Sequence, residues 1–218
     1  MIEAVIFDMD GVLIDSEGVW DEVRRSYVDE RGGTWRDRAT RDMMGMSSVE
    51  WSRYLAEELG VALPPERISE QVAGLVRERY ERELPLLPGA VEAVRRMAGR
   101  WPLGLASSSN RHLIDRVLEL ARIDRDFRAT VSSEEVARGK PHPDVYLECA
   151  ARLDAVPGGC AAIEDSHNGI RSARAAEMKV IAVPNLEFPP DEESLSLADL
   201  ALTSLDELTE QVVERLGA

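Results

Sequence analysis

Cysteine is scarce in this 218-residue chain. Cys149 and Cys160 stand in neither a metal-type spacing nor a disulfide-dense pattern, which excludes a disulfide scaffold and points to a reducing, cytoplasmic setting. No apolar run approaches the ~18 residues of a membrane span. Met1-Ile2-Glu3 opens without the basic stretch of a signal peptide, so neither secretion nor a membrane partner is expected. Positive charge is in deficit: 26 Lys plus Arg against 41 Asp plus Glu leave a net charge of −15. That balance argues against nucleic acid, whose phosphates require clustered cations. It leaves a small anionic substrate open, because screening over roughly 8 Å lets a local cation dominate a site. Lysine itself is nearly absent, with only Lys140 and Lys179 among those cations. A compact ammonium suits a crowded phosphate better than a planar fork does, so Lys140 draws interest. Lys179 merely precedes an apolar run and reads as a solvated position. The three histidines, His112, His142 and His167, show no metal spacing, and His142 sits between two prolines as a matter of local structure.

What is present is a rhythm. A hydrophobic content of 44% suffices for one sizeable core, or for a core plus a smaller lobe. Strand-like runs occur at 4–7, 103–106, 129–131, 160–163, 180–183 and 200–202, and helical patterns at 91–97, 113–120, 145–153 and 170–176 separate most of them. This alternation predicts an α/β fold, a doubly wound parallel sheet with ligands bound beyond the carboxyl ends of its strands. The alternation lapses between Ile14 and Pro85. There Trp20, Val23 and Tyr27 form one helical stripe, and Trp51, Leu55 and Leu59 form another. Ser47-Ser48-Val49-Glu50 reads as a capping box opening the second, and Pro64-Pro65 starts a further helix through Ile68, Val72 and Leu75. The expected organisation is a core of residues 1–13 and 86–218 with an inserted helical cap, 14–85. Residues 187–193 (EFPPDEE) read as a solvated acidic loop.

Four features fall at the C-terminal ends of successive core strands: Asp8 and Asp10 in FDMDGVLIDSE, Ser107-Ser108-Ser109-Asn110, Lys140 in GKPHPD, and Glu164-Asp165-Ser166. Each has an ordinary reading as a turn former, a helix cap or a surface charge. Jointly they fit phosphoryl transfer. A carboxylate attacking a phosphate monoester meets charge repulsion, which Mg²⁺ on carboxylate oxygens and an ammonium can offset. Asp8 is then the expected nucleophile and Asp10 the general acid and base. Glu164 and Asp165 would complete the metal shell, while Ser107 and backbone amides would donate to the phosphoryl oxygens.

These four motifs, in this order, resemble the haloacid dehalogenase superfamily, in the subfamily with a small helical cap inserted after the first motif. Within it the chain is similar to sugar-phosphate phosphatases of the 2-deoxyglucose-6-phosphatase kind and to β-phosphoglucomutase. The resemblance covers essentially the whole chain. It implies Asp8 as nucleophile, Asp10 as acid and base, and Ser107 and Lys140 on the phosphate. It also implies Mg²⁺ on Asp8, on the Asp10 main-chain carbonyl and on Asp165, with Glu164 bound directly or through water. Ser108 is a further phosphate-binding candidate, and Asn110 either caps its helix or touches the phosphate.

A Mg²⁺-dependent phosphatase acting on small phosphate monoesters, sugar phosphates foremost, is therefore expected, as a monomer. Phosphomutase is the first alternative. β-Phosphoglucomutases carry an arginine just after a Gly-x-Ser sequence of the cap and a histidine in its first helix. Here Gly45-Met46-Ser47 is followed by Ser48, and Trp20 stands at the helix position. A non-enzymatic phosphoacceptor of the receiver type is the second, although such domains lack a large helical insertion. Trp20, Gly45, Ser47 and Ser48 are the candidates for cap specificity, with Met43, Met44 and Met46 as adaptable packing beside them.

Overall fold

The structure, a computed structural model, describes residues 1–44, 46–184 and 189–217. Gly45 and part of the acidic 187–193 segment lie outside the described residues. Six parallel strands form one sheet: β1 (Ala4–Phe7), β2 (Leu103–Ser107), β3 (Phe127–Ser132), β4 (Cys160–Glu164), β5 (Lys179–Ala182) and β6 (Leu200–Ala201), in the order β3-β2-β1-β4-β5-β6. Each coincides with a run read from the sequence to within two residues at either end. β1 is central, with Val5 opposite Leu103 on one side and Ala161 on the other. The strand order reverses direction there, which opens a crevice beyond the carboxyl ends of β1 and β4.

Period-two alternation divides the core between the two faces of the sheet. Val5, Phe7, Leu103, Leu105, Ala161 and Ile163 face one way, whereas Ala4, Ile6, Ala106, Val131 and Ala162 face the other. The first face packs against α5 (Ala90–Ala98), α6 (Arg111–Ala121) and α10 (Glu210–Leu216); the second carries α7 (Asp144–Arg152) and α8 (His167–Ala175). A short helix α9 (Glu192–Leu195) precedes β6.

Between Ile14 and Leu86 the described residues hold four helices and no strand: α1 (Glu17–Glu30), α2 (Ala39–Met43), α3 (Ser48–Glu57) and α4 (Pro65–Arg82). The two connections run side by side. Asp15 N–H donates to Pro85 O at 2.8 Å and Leu87 N–H to Leu13 O at 3.0 Å, around an antiparallel bridge of Ile14 to Leu86. The Ser47 N–H donates to the Glu50 carboxylate at 2.8 Å at the start of α3, as the capping-box spacing predicts. One position of the expected stripe on α4 is corrected. Leu75 is exposed, and the buried face runs through Ile68, Val72, Val76 and Tyr80 at four-residue steps. The five-residue α2 escapes sequence reading because it is too short to show a period.

Gly104 in β2 is required by packing, since a Cβ there would overlap the Cys149 sulfur of α7 and press on Leu153 and Ile6. Gly104→Ala is expected to destabilise the protein by about 1–3 kcal/mol in urea unfolding. Adding Cys149→Ala should return part of that loss through a favourable coupling; strict additivity of the two changes would contradict the packing.

Candidate active site

The C-terminal end of β1 turns immediately. Asp8 N–H still donates to Ile163 O of β4 at 3.0 Å, and Leu13 N–H then donates to Met9 O at 2.8 Å. Gly11 adopts φ +76° in that turn, and a Cβ there would overlap the Asp165 carboxylate, so glycine is needed for both conformation and space. The turn thus presents Asp8 and Asp10 to the end of β4. Asp8 is buried, and its Oδ1 lies 2.9 Å from Lys140 Nζ. Lys140 reaches it from the loop before α7, 3% exposed, with its ammonium over the Tyr146 ring and 2.6 Å from Glu164 Oε1.

Glu164 ends β4 and is wholly buried. Besides Lys140 it accepts from Tyr146 OH at 2.9 Å, Asp165 N–H at 3.0 Å, Ser166 N–H at 3.2 Å and Ser166 Oγ at 3.1 Å. Asp165 is buried beside it, and its Oδ1 has no hydrogen-bond partner among the described residues. One carboxylate oxygen from each of Asp8, Glu164 and Asp165 falls within 4.8 Å of the others. Three clustered carboxylates, an orphaned buried oxygen and one lysine leave excess negative charge. An all-oxygen donor set of this kind fits a hard divalent cation. The Asp10 carboxylate stands outside this cluster and accepts from Ser109 Oγ at 2.8 Å and Ser107 Oγ at 3.3 Å.

The family model for haloacid dehalogenase-like hydrolases matches residues 2–177. The chain belongs to that family. It is 38% identical to hexitol phosphatase B of Escherichia coli (strain K12) over 227 residues, covering 95% of each protein. Among solved structures, CbbY from Rhodobacter sphaeroides, crystallised with phosphate, is 26% identical with a TM-score of 0.85, covering 98% of this chain and 100% of that one. The β-phosphoglucomutase of Clostridium difficile, 24% identical with a TM-score of 0.84 over 99% and 97% of the two chains, shares the fold. No helix among the described residues is long and apolar enough to cross a membrane.

Not every residue singled out in the sequence faces the crevice of this hydrolase. Asp8, Asp10, Ser108, Lys140 and Asp165 line it together with Trp20, Met43, Met44 and Met46. Ser107 is buried beneath, its Oγ accepting from Ser109 N–H at 3.0 Å, and Ser109 takes the lining position. Asn110 and Ser48 belong to a different contact. Asn110 Nδ2 donates to Glu134 Oε1 at 2.6 Å and to Ser69 Oγ at 3.3 Å; Ser48 Oγ donates to Glu134 Oε1 at 3.0 Å, and Arg111 N–H to Glu134 Oε2 at 3.0 Å. Glu134 therefore ties α3 to the loop after β2, and Asn110 of that loop reaches α4 at Ser69. Ser47 packs close to Gly139, its Cβ 3.2 Å from where a Cβ on that glycine would lie.

Sequence reading missed Glu17, Arg24 and Trp51 in the crevice, and Tyr146 behind Lys140; Ser109 and Ser166, present in two of the strand-end features without a role of their own, line it as well. Arg24 and Glu17 carried a usable signal, since both share a face of α1 with Trp20.

Burial dominates the electrostatics. It pushes the Asp8 carboxyl up to about 8, opposed by Lys140 and reinforced by Glu164 and Asp10. Asp165 is raised by burial and by Glu164 and Asp8. Burial acts against the Lys140 charge, but Asp8 and Glu164 outweigh it and hold the ammonium protonated.

Two outcomes follow from this geometry. Without divalent ions, folded Asp8 keeps its proton to about pH 8, whereas unfolded Asp8 loses it near pH 4. The folded state then binds more protons across that window, so stability falls as pH rises through it. Thermal midpoints in chelator should decline from about pH 5 to 8, less steeply for Asp8→Asn than for wild type; equal slopes would contradict the burial argument. Glu134→Ala leaves the Asn110 amide, the Ser48 hydroxyl and the Arg111 N–H without their acceptor. It should cost about 1–3 kcal/mol in denaturant unfolding, and a loss within error of zero would show the contact to be idle.

Proposed function

We propose that the chain is a Mg²⁺-dependent phosphatase that hydrolyses small sugar or polyol phosphates through an aspartyl-phosphate intermediate. The observation that carries this reading is the meeting of Asp8, Lys140, Glu164 and Asp165 in one buried cluster at the strand reversal, with Asp10 two residues beyond Asp8. The E. coli relative named for hexitol phosphatase activity supports the substrate class.

The steps follow from the side chains. An Asp8 carboxylate oxygen attacks phosphorus, and the ester P–O bond breaks. Asp10 passes its proton to the leaving oxygen, so the alcohol departs neutral. Asp10 then takes a proton from a water that attacks the phosphorus, and the bond to Asp8 breaks to release inorganic phosphate. The Ser107 and Ser109 hydroxyls hold the Asp10 carboxyl for both transfers. Lys140 sets its positive charge against the phosphoryl oxygens, and Glu164, accepting from five donors, orients that lysine. Asp8, Asp165, the Asp10 main-chain carbonyl and Glu164 would hold Mg²⁺, which when bound supplies positive charge against the same oxygens.

Residues 14–85 then act as a cap over a core of residues 1–13 and 86–218. The paired strands of backbone at Asp15–Pro85 and Leu13–Leu87 are the two hinges. The free space beneath the cap is about 50 Å³, far below the roughly 300 Å³ of a small-molecule pocket, so substrate entry requires the cap to lift.

Phosphomutase remains the second reading because of one observation. Ser48 turns to Glu134 and offers no cation, but Arg24 of the cap does line the crevice, where a mutase needs charge for a distal phosphate. Phosphorus NMR separates the two readings. With Mg²⁺, wild type is expected to release inorganic phosphate from hexose and hexitol phosphates without converting β-glucose 1-phosphate to glucose 6-phosphate, and Asp8→Asn should lose at least about 10³-fold in rate. Accumulation of glucose 6-phosphate with little free phosphate, or substantial turnover by Asp8→Asn, would overturn the assignment.

A further inference from the structure

The reaction at the floor of the crevice leaves two charged groups on its roof unused. Arg24 of α1 is 7% exposed. Its guanidinium sits 4.6 Å from the Trp20 ring centroid and 4.9 Å from that of Trp51, and these indoles lie 5.6 Å apart. The aromatic contacts stabilise the cation but accept no conventional hydrogen bond. Arg24 makes no hydrogen bond and no ion pair among the described residues, and its enclosed Nε is left without a partner. A guanidinium is seldom buried in that condition, because its five donors lose water and gain nothing.

Glu17 lies two turns earlier on the same face of α1 and lines the same crevice. No donor among the described residues reaches its carboxylate, and it stands too far from Arg24 for an ion pair. Buried donors of Arg24 and the half-buried carboxylate of Glu17 thus open onto one space without meeting.

We propose that Arg24 and Glu17 form a donor–acceptor pair that reads the hydroxyl groups of an uncharged, polyhydroxylated leaving group while its phosphate sits at Asp8. A hydroxyl can accept from Arg24 and donate to Glu17, which satisfies both ends. This rests on the phosphatase reading and narrows its substrate. A second anionic group suits the pair less well. Asp8, Asp10, Glu17 and Asp165 in the crevice, with Glu164 beneath them, already oppose Lys140 and Arg24, and with all five ionised a bound divalent cation still leaves that set negative. A further negative charge beside Glu17 would go uncompensated.

The test compares kcat/KM for a hexitol phosphate, for p-nitrophenyl phosphate and for phosphoglycolate, whose leaving group, glycolate, bears a carboxylate. Wild type, Arg24→Met, Arg24→Lys and Glu17→Gln are assayed with Mg²⁺. In Arg24→Met and in Glu17→Gln the ratio for the hexitol phosphate over p-nitrophenyl phosphate should fall about 30-fold or more, because a site built for hydroxyls loses its discrimination when one partner goes. Arg24→Lys should recover part of it, and wild type should prefer the hexitol phosphate to phosphoglycolate. Unchanged ratios would overturn the pairing, and so would a wild-type preference for phosphoglycolate that Arg24→Met abolishes. Should Arg24→Met not fold, Glu17→Gln decides alone, since its ratio must fall by the same margin. Failure of wild type to release phosphate from any of the three would overturn the phosphatase reading, and this inference with it.

Discussion

Three carboxylates and one ammonium share a volume that excludes water where β1 and β4 end. Lys140 lies 2.9 Å from Asp8 and 2.6 Å from Glu164, and no other cation touches the cluster among the described residues. Such a group costs free energy to bury, since each charge gives up its hydration and one lysine balances only one carboxylate. The fold around it holds those charges in place. Gly11 keeps its left-handed turn so that Asp165 can approach, and Gly169 is bare because a Cβ there would overlap the Glu164 carboxylate. Tyr146 and the Ser166 main chain complete the hydrogen bonds of Glu164. The excess negative charge that remains makes the cluster one that could hold a metal ion.

The helices between the two connections supply a different chemistry. Their apolar residues merge with those of the sheet in one cluster that runs from Phe7 through Met9 and Ile14 to Trp51 and Tyr80. Polar contact between the two parts concentrates on Glu134, which receives Ser48 from α3 and, through Asn110, the neighbourhood of Ser69 on α4. The carboxylates and Lys140 lie on the sheet side of the crevice, and Arg24, Glu17 and the methionines on the helical side.

Local pattern along the chain was enough to place the sheet and to pick out the polar residues at its carboxyl edge. Strands buried on both faces must be written as apolar runs, and Ala4–Phe7 or Cys160–Glu164 can hardly be read otherwise. Asp8, Asp10 and Asp165 are legible because each lies just past such a run, where an unpaired charge demands a reason. Lys140 stood out as one of two lysines in an arginine-rich chain. The helical side of the crevice came from packing alone. Ser48 was a candidate for cap specificity, and Asn110 for its helix cap or the phosphate, yet both turn to Glu134, a residue distant in the chain whose position no local pattern reveals. Arg24 resembled any surface arginine until two tryptophans from separate helices closed over it. Local spacing specifies which face of a helix is apolar, but which polar side chain that face carries into a crevice depends on how the helices pack against one another.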